Sequence, residues 1–255
     1  MSPSDRYPER PQRVYFFGTC LIDLLYPEAG LAGMQLIRRE GVEVLYPRDQ
    51  TCCGQPAWNS GYRDEARSVA MRQIGCFPQP YPIVVPSGSC AGMMRHQYPR
   101  LFQGSPEQET ALAFAARIFE LTEFLVHVLK IDLQDLGAPV EVALHVSCAA
   151  RRELQVADEH RVLLQQLEGV TLLEQQRAEE CCGFGGTFAV KHPEISAAMV
   201  EEKCNAVVAT GATRLVSGDC GCLMNINGHA QHRNEALQGQ HIASFLWERT
   251  NAAER

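Results

Sequence analysis

The sequence predicts an α/β fold made of two tandem Rossmann-like halves with parallel sheets, related by duplication. Three observations carry this. The tripeptide Cys-Cys-Gly occurs at Cys52-Cys53-Gly54 and again at Cys181-Cys182-Gly183, where composition alone gives about 0.04 copies. A solitary cysteine precedes each pair (Cys20, Cys148) and a Ser-Gly-x-Cys run follows it (Ser87 to Cys90, Ser217 to Cys220), at offsets of 128, 129 and 130 residues. The same alternation of strand and helix patterns surrounds the landmarks in both copies.

In order, residues 14–19 form an apolar run ending at Cys20, matched by residues 140–146 ahead of Cys148. Amphipathic helices are predicted over 21–39, interrupted near Pro27, and over 151–167. Gly41 and Gly169 stand where a helix stop is wanted. Strands at 42–46 and 170–173 then run into the Cys-Cys-Gly loops. Helices at 63–74 and 193–209 lead to strands at 83–85 and 214–217. Residues 107–130 read as a connecting helix, and 241–249 as a last helix packed on the second half. The expected division is a first domain over 10–106, a connecting helix within 107–137 and a second domain over 138–250. In such sheets function gathers at the carboxyl ends of the strands, and all three cysteine landmarks of each half fall there.

The chain has 255 residues, 45% of them hydrophobic, and a net charge of −7 with both signs interspersed. Clustered Lys and Arg, the footprint of nucleic-acid binding, is missing. The longest uncharged stretch, residues 73–94, is broken by Pro78, Pro80, Pro82 and Pro86, so no membrane span is expected. Met1 to Arg6 lack the apolar core of a secretory leader, which points to a cytosolic protein. Cysteine is the abnormal figure, at 11 residues. In an unexported chain that number argues for metal or redox chemistry over disulfides.

Each half offers a solitary cysteine after its first strand, a vicinal pair after its second and one cysteine after its third. The glycine after each pair lets the backbone turn sharply enough for neighbouring thiols to face one site. Ligands from three strand ends suit a cluster several ångströms across, and soft thiolates select iron–sulfur, zinc or Cu(I). Structural zinc sites use short Cys-x₂₋₄-Cys knuckles, which neither half has, so iron–sulfur clusters are favoured and zinc is the alternative. The second half offers both Cys220 and Cys222 as its last ligand. Cys76 and Cys204 lie on the second helix of each half and read as packing residues. No Gly-x-Gly-x-x-Gly follows an early strand, and Gly183-Phe184-Gly185-Gly186 lies inside the cysteine loop.

These residues resemble the cysteine-rich, Cys-Cys-Gly domain proteins, most nearly the lactate utilisation protein A family, related to the glycolate oxidase iron–sulfur subunit. The stretches that carry it are Phe17-Gly-Thr-Cys-Leu-Ile-Asp, Gln50-Thr-Cys-Cys-Gly-Gln-Pro-Ala, Val85-Pro-Ser-Gly-Ser-Cys, Cys181-Cys-Gly-Phe-Gly-Gly-Thr-Phe and Cys222-Leu-Met-Asn-Ile-Asn-Gly. The resemblance implies a cytosolic iron–sulfur complex that oxidises L-lactate, or a related 2-hydroxy acid, to the 2-oxo acid. It implies a ferredoxin-type iron–sulfur subunit and a third small subunit as partners. It also favours Cys222 over Cys220, because the family ligand directly precedes the Leu-Met-x-Ile run. The ligand set it implies is Cys20, Cys52, Cys53 and Cys90, then Cys148, Cys181, Cys182 and Cys222. Cys220, Asp219, Ser87 and His145 are accessory candidates.

Two departures stand out. The family's His-Asp-Ser-Cys-His is here His145-Val146-Ser147-Cys148-Ala149. In a wider relative, the Cys-Cys-Gly subunit of heterodisulfide reductase, each unit ends in Cys-x-x-Cys; Ser87 and Asp219 replace the first of those cysteines. Four thiolates per half then fit two [4Fe–4S] clusters and disfavour direct disulfide reduction. The rival functions are a metal-stabilised docking scaffold and a heterodisulfide-reductase-like thiol–disulfide oxidoreductase. No catalytic residue is assigned. His145, at a strand end, faces either cluster or substrate or is a satisfied core residue. His96 and His229 read as surface groups, and Arg38-Arg39 and Arg151-Arg152 as solvated helix faces.

Overall fold

The computed structural model describes residues 7–212 and 214–251; Met1 to Arg6, read above for a leader, lie outside them. The chain divides after Asp132 into two compact units.

The first unit runs β1 (Arg13–Phe16), α1 (Cys20–Leu25), α2 (Pro27–Arg39), β2 (Glu43–Leu45), α3 (Gln55–Asn59), α4 (Arg63–Cys76) and β3 (Ile83–Val85). Next come α5 (Gly88–Gly92), a π-helical turn (Met93–Gln97), α6 (Tyr98–Leu101), α7 (Gln108–Ala115), β4 (Ile118–Glu120) and α8 (Leu121–Glu123), which continues as a π-helical turn (Phe124–Leu129). The second unit runs β5 (Val140–His145), a π-helical turn (Ala149–Leu154), α9 (Ala157–Gln165), β6 (Val170–Leu173), α10 (Phe188–Lys191), α11 (Pro193–Val208), β7 (Arg214–Ser217), α12 (Cys220–His232), β8 (Gln238–His241) and α13 (Ile242–Thr250).

Each unit holds a four-stranded parallel sheet, ordered β2-β1-β3-β4 in the first and β6-β5-β7-β8 in the second. Register agrees too: Phe16 lies beside Val84, and Leu144 beside Val216. The α/β duplication is therefore present at the level of strand order. The connection that leaves β1 runs to β2 on one side and the one that leaves β3 runs to β4 on the other, which makes the ends of β1 and β3 a topological switch point.

Several expectations are corrected. Residues 107–130 are not a connecting helix. Gln108–Ala115 is helical, Arg117 ends the turn, and Ile118–Glu120 joins β3 as the fourth strand of the first sheet. Residues 118–121, Ile-Phe-Glu-Leu, are all buried, a strand whose signature is hidden by the helical patterns around it. The helix expected over 151–167 is broken at Gln155, whose φ is 59°. Gly169 is no helix stop, because α9 ends at Gln165; its N–H instead donates to Asp135 Oδ2 at 2.7 Å. The break near Pro27 is present at Tyr26, between α1 and α2.

The two cores differ in chemistry. The first is aromatic: Phe77 contacts Tyr15, Phe17 and Phe114, and Tyr98 stacks on Phe114 with centroids 5.8 Å apart. The second is aliphatic with buried thiols, built from Val200, Cys204, Val207, Leu215 and Ile226. A buried ion pair, Arg249 to Asp135 at 2.5 Å, ties α13 to the segment entering β5.

Candidate functional site

The thiols converge at the carboxyl ends of the first three strands of each sheet, and matching local devices position them. Thr19 caps α1, its Oγ1 accepting the Ile22 N–H at 3.2 Å, so Cys20 is the first helical residue. Ser147 Oγ accepts the Ala150 N–H at the same 3.2 Å, which puts Cys148 at the same station. Thr19 takes φ 45°, an uncommon conformation for a β-branched residue, held here by the cap.

The vicinal pairs also match. Gly54 has φ 85° and Gly183 φ 82°, left-handed conformations that a side chain would strain. Each glycine N–H then donates to the first sulfur of its pair, Gly54 to Cys52 Sγ and Gly183 to Cys181 Sγ, both at 3.4 Å. The carbonyl of the second cysteine is fixed by a side chain from the helix after the third strand. Tyr98 Oη donates to Cys53 O at 2.9 Å, and Asn225 Nδ2 to Cys182 O at 2.7 Å.

The caps also show which positions are equivalent after the third strand of each half. Ser87 Oγ caps α5 through the Cys90 N–H at 3.5 Å, and Asp219 Oδ1 caps α12 through the Gly221 N–H at 3.1 Å. Both capping residues have extended backbone. Counting three residues on from each cap gives Cys90 and Cys222, so Ser87 corresponds to Asp219. The Ser-Gly-x-Cys alignment, which pairs Cys90 with Cys220, is not the structural one. Cys220 opens α12 and is buried.

Both nests share one hydrogen-bond pattern. Cys20 and Cys53 direct S–H groups to Cys52, which pushes its thiol down to about 3, while those bonds and burial push Cys20 and Cys53 up. Cys53 also donates toward Cys90. In the second half Cys148 and Cys182 donate to Cys181, which falls to about 2, and Cys182 also donates toward Cys222. Cys222 accepts from Cys182, yet burial and the charge of Asp219 push it up. In each nest two thiols are buried and two are half-exposed at the rim. Four soft donors drawn from three strand ends fit an iron–sulfur cluster or zinc.

His145 is the imidazole that joins the second nest. Its ligating nitrogen and the sulfurs of Cys182 and Cys222 all lie within 4.8 Å of one another. It is fully buried, and neither ring nitrogen has a hydrogen-bond partner among the described residues. Leaving such groups unpaired costs about 1–3 kcal/mol each. Burial, with the positive charges of Lys203 and Arg151, pushes His145 down to about 3, so the ring is neutral at pH 7. The reading of His145 as a satisfied core residue is therefore set aside. Val146 and Ala149, where the family pattern has an acid and an imidazole, are both buried.

The remaining candidates stay apart from this geometry. Cys204 is buried in the core of the second half, as its packing role requires, while Cys76 ends α4 half-exposed and donates to Arg72 O. They are not equivalent positions. Gly54 abuts Ala66 and Val69 where Gly183 abuts Ser196 and Met199, which aligns Cys204 with Ile74. His96 and His229 are half-buried; Arg38, Arg39 and Arg152 are exposed, but Arg151 is half-buried. The same alignment identifies a residue that sequence reasoning missed. Lys203, in the place of Gln73, is buried and donates to Gln175 Oε1, Arg177 O and Ala178 O at 3.4, 3.0 and 3.5 Å. Beside Cys181 a cavity of about 430 Å³ is lined by Arg152, Arg177, Ile195, Met199 and Glu202.

The comparisons with known proteins agree with this arrangement. The model of the cysteine-rich CCG domain matches residues 14–95 and 142–227, one copy per sheet. Lactate utilization protein A 2 of Bacillus cereus (strain Q1) is 43% identical over 235 residues, 92% of this chain and 97% of the relative. The chain belongs to the lactate utilization protein A family of CCG-domain proteins. Other lactate utilization protein A sequences are equally similar: that of Geobacillus sp. (strain WCH70) is 44% identical over 237 residues, 92% of this chain and 98% of its own length. That of Shouchella clausii (strain KSM-K16) is 43% identical over 236 residues, 91% and 98% respectively. A crystal structure of a hypothetical protein from Helicobacter pylori shares the fold, with a TM-score of 0.64 and 8% identity over 96% of this chain. The chain spans 50% of that structure's length.

Proposed function

We propose that this chain is an iron–sulfur electron-transfer subunit acting in lactate utilisation, with one cluster held in each half. The observation that carries the reading is the pair of equivalent four-thiol nests: Cys20, Cys52, Cys53 and Cys90 in one, Cys148, Cys181, Cys182 and Cys222 in the other. When bound, each cluster would supply one-electron storage. The chain's own residues supply the rest. Gly54 and Gly183 donate backbone N–H groups to a ligand sulfur, the caps aim the first and third thiols, and two buried thiols per nest restrict water. Two rim thiols leave one side of each nest near solvent, where a ferredoxin-type partner subunit can exchange electrons. A third small subunit completes the complex implied by the family.

The relatives' shared name supports lactate, or a related 2-hydroxy acid, as the reductant at the level of the complex. The cavity beside Cys181 lies next to the second nest, and its lining carries both Arg152 and Arg177 and the acidic Glu180 and Glu202, which pair with Arg177. Among the described residues no helix is long and apolar enough to cross a membrane, and a thiol-rich chain suits a reducing compartment such as the cytosol.

A metal-stabilised docking scaffold is the competing reading, and the low thiols Cys52 and Cys181 also suit thiol–disulfide chemistry. Anaerobic purification with iron, sulfide and zinc analysis separates them. The proposal expects iron and sulfide in equal amounts, with a broad absorbance near roughly 400 nm that dithionite bleaches. Stoichiometric zinc without iron would leave the scaffold; metal-free protein with reactive thiols would leave the disulfide enzyme.

A further inference from the structure

The two halves differ at two buried positions next to the cysteine-bearing segments. The first is the residue two before the capping hydroxyl: Phe17 in one half, His145 in the other. Register supports the match, since Phe16 and Leu144 sit beside Val84 and Val216. Phe17 is spent on the aromatic core, 6.1 Å from Phe77 between ring centroids. His145 brings a polar ring within 4.8 Å of the sulfurs of Cys182 and Cys222 and has no hydrogen-bond partner among the described residues. The second position holds Gln73 or Lys203. Gln73 is closed on Thr51, donating to its Oγ1 at 2.7 Å and accepting its N–H at 3.0 Å. Lys203 makes three contacts to oxygen, a fit for the three N–H groups of an ammonium.

We propose that His145 and Lys203 make the second nest the site of higher reduction potential, so that an electron given to this chain settles in its second half. This rests on the proposed function, because it presupposes a cluster in each nest. Reduction adds negative charge to a group already surrounded by thiolates. An N–H donor aimed at a ligand sulfur and a buried cation both favour the reduced form. His145 supplies the first and Lys203 the second; Phe17 and Gln73 supply neither. Asp219, standing where the first half has the neutral Ser87, pulls the other way. Glu179 and Glu180 beside Lys203 add to that pull, and Lys203, buried and acting on Cys182 and Cys222, opposes it with the half-buried Arg151. The process is the uptake of one electron from an external donor, with no bond made and no proton moved. His145 and Lys203 are positioning residues here, acting on the potential through the ligand sulfurs.

The test is a dithionite titration of the anaerobically reconstituted full chain, followed by electron paramagnetic resonance, with Cys53→Ala and Cys182→Ala used to assign the two signals. The expected result is two separated midpoints, the upper one belonging to the second half. His145→Phe and Lys203→Gln should each lower the upper midpoint and leave the lower one in place. The reciprocal Phe17→His should raise the lower. If His145→Phe strips the second half of iron, His145→Gln decides: a retained cluster at near-normal potential supports the donor role, and loss in both variants overturns it. An upper midpoint in the first half, or one unmoved by His145→Phe, overturns the inference while the two-cluster reading stands. A chain that takes up no iron in either half removes both.

Discussion

In the first half β1 is followed by Phe17, packed on Phe77 in an aromatic core; in the second, β5 ends on His145, whose ring has no hydrogen-bond partner among the described residues. Around these residues the halves repeat each other: strand order, hydroxyl caps before Cys20 and Cys148, left-handed glycines, N–H to sulfur bonds of equal length. The comparison separates two kinds of residue. Those that gather the thiols keep the same roles in both copies, Thr19 matched by Ser147, Ser87 by Asp219 and Tyr98 by Asn225. Those that set the polarity around the thiols have diverged: Phe17 against His145, Gln73 against Lys203, Ser87 against Asp219.

The strongest way to break this comparison is to remove one nest. Cys53→Ala or Cys182→Ala should each abolish one cluster, halving bound iron and leaving the other half's spectrum intact. Loss of all iron from either variant would mean that the halves share a single site.

Next in size is the buried ion pair that the second half has between Asp135 and Arg249, whose side chains are 3% and 6% exposed. Removing one partner of such a pair costs about 3–5 kcal/mol. Arg249→Met should therefore raise amide hydrogen exchange across residues 133–251 and leave residues 7–132 protected as before.

The fourth strands provide a third contrast. Glu120, at the end of β4, caps α8; His241, at the end of β8, caps α13 through the Ala243 N–H at 3.1 Å. Burial pushes the Glu120 carboxyl up to about 8, even though it accepts bonds from Thr122 and Glu123. The native state thus holds a proton that the unfolded chain gives up near 4.5. Its stabilising contribution is complete below pH 4.5 and is lost as pH rises through about 8, with a slope of at most about 1.4 kcal/mol per pH unit. Glu120→Gln should flatten that part of the stability curve, measured by urea unfolding from pH 5 to 8. An unchanged slope would contradict a protonated Glu120.

The smallest contrast concerns the glycines after the cysteine pairs. A left-handed residue with a side chain costs about 1–2 kcal/mol. A Cβ at Gly54 would meet the flexible Val69 side chain at 3.3 Å, whereas at Gly183 it would meet the Ser196 carbonyl at 2.8 Å. Gly183→Ala should therefore destabilise more than Gly54→Ala in thermal unfolding.

Much of this was legible because cysteine and glycine mark positions sharply. The duplicated pairs and the strands ahead of them placed the eight thiols of the two nests at matching strand ends. What escaped was carried by residues with weaker signatures. β8 is Gln238-Gly239-Gln240-His241, an edge strand with no apolar alternation, and β4 is three residues hidden between helical patterns. The helix that contains Cys90 carries Gly88 and Gly92, and the one that contains Cys222 carries Gly221 and Gly228; such residues do not announce a helix. Lys203 reads as one more charge on an amphipathic helix, and only the alignment of α4 with α11 turns it inward. His145 was visible as a strand-end histidine, but its lack of a partner is a property of packing.

The most direct test of the two-nest account is Mössbauer spectroscopy with iron, sulfide and zinc analysis on the anaerobically prepared full chain, beside its Cys53→Ala and Cys182→Ala variants. The account predicts two cubane-type clusters in the parent and one in each variant, with different spectra for the two survivors. Stoichiometric zinc in place of iron, or a single cluster lost from both variants alike, would contradict it.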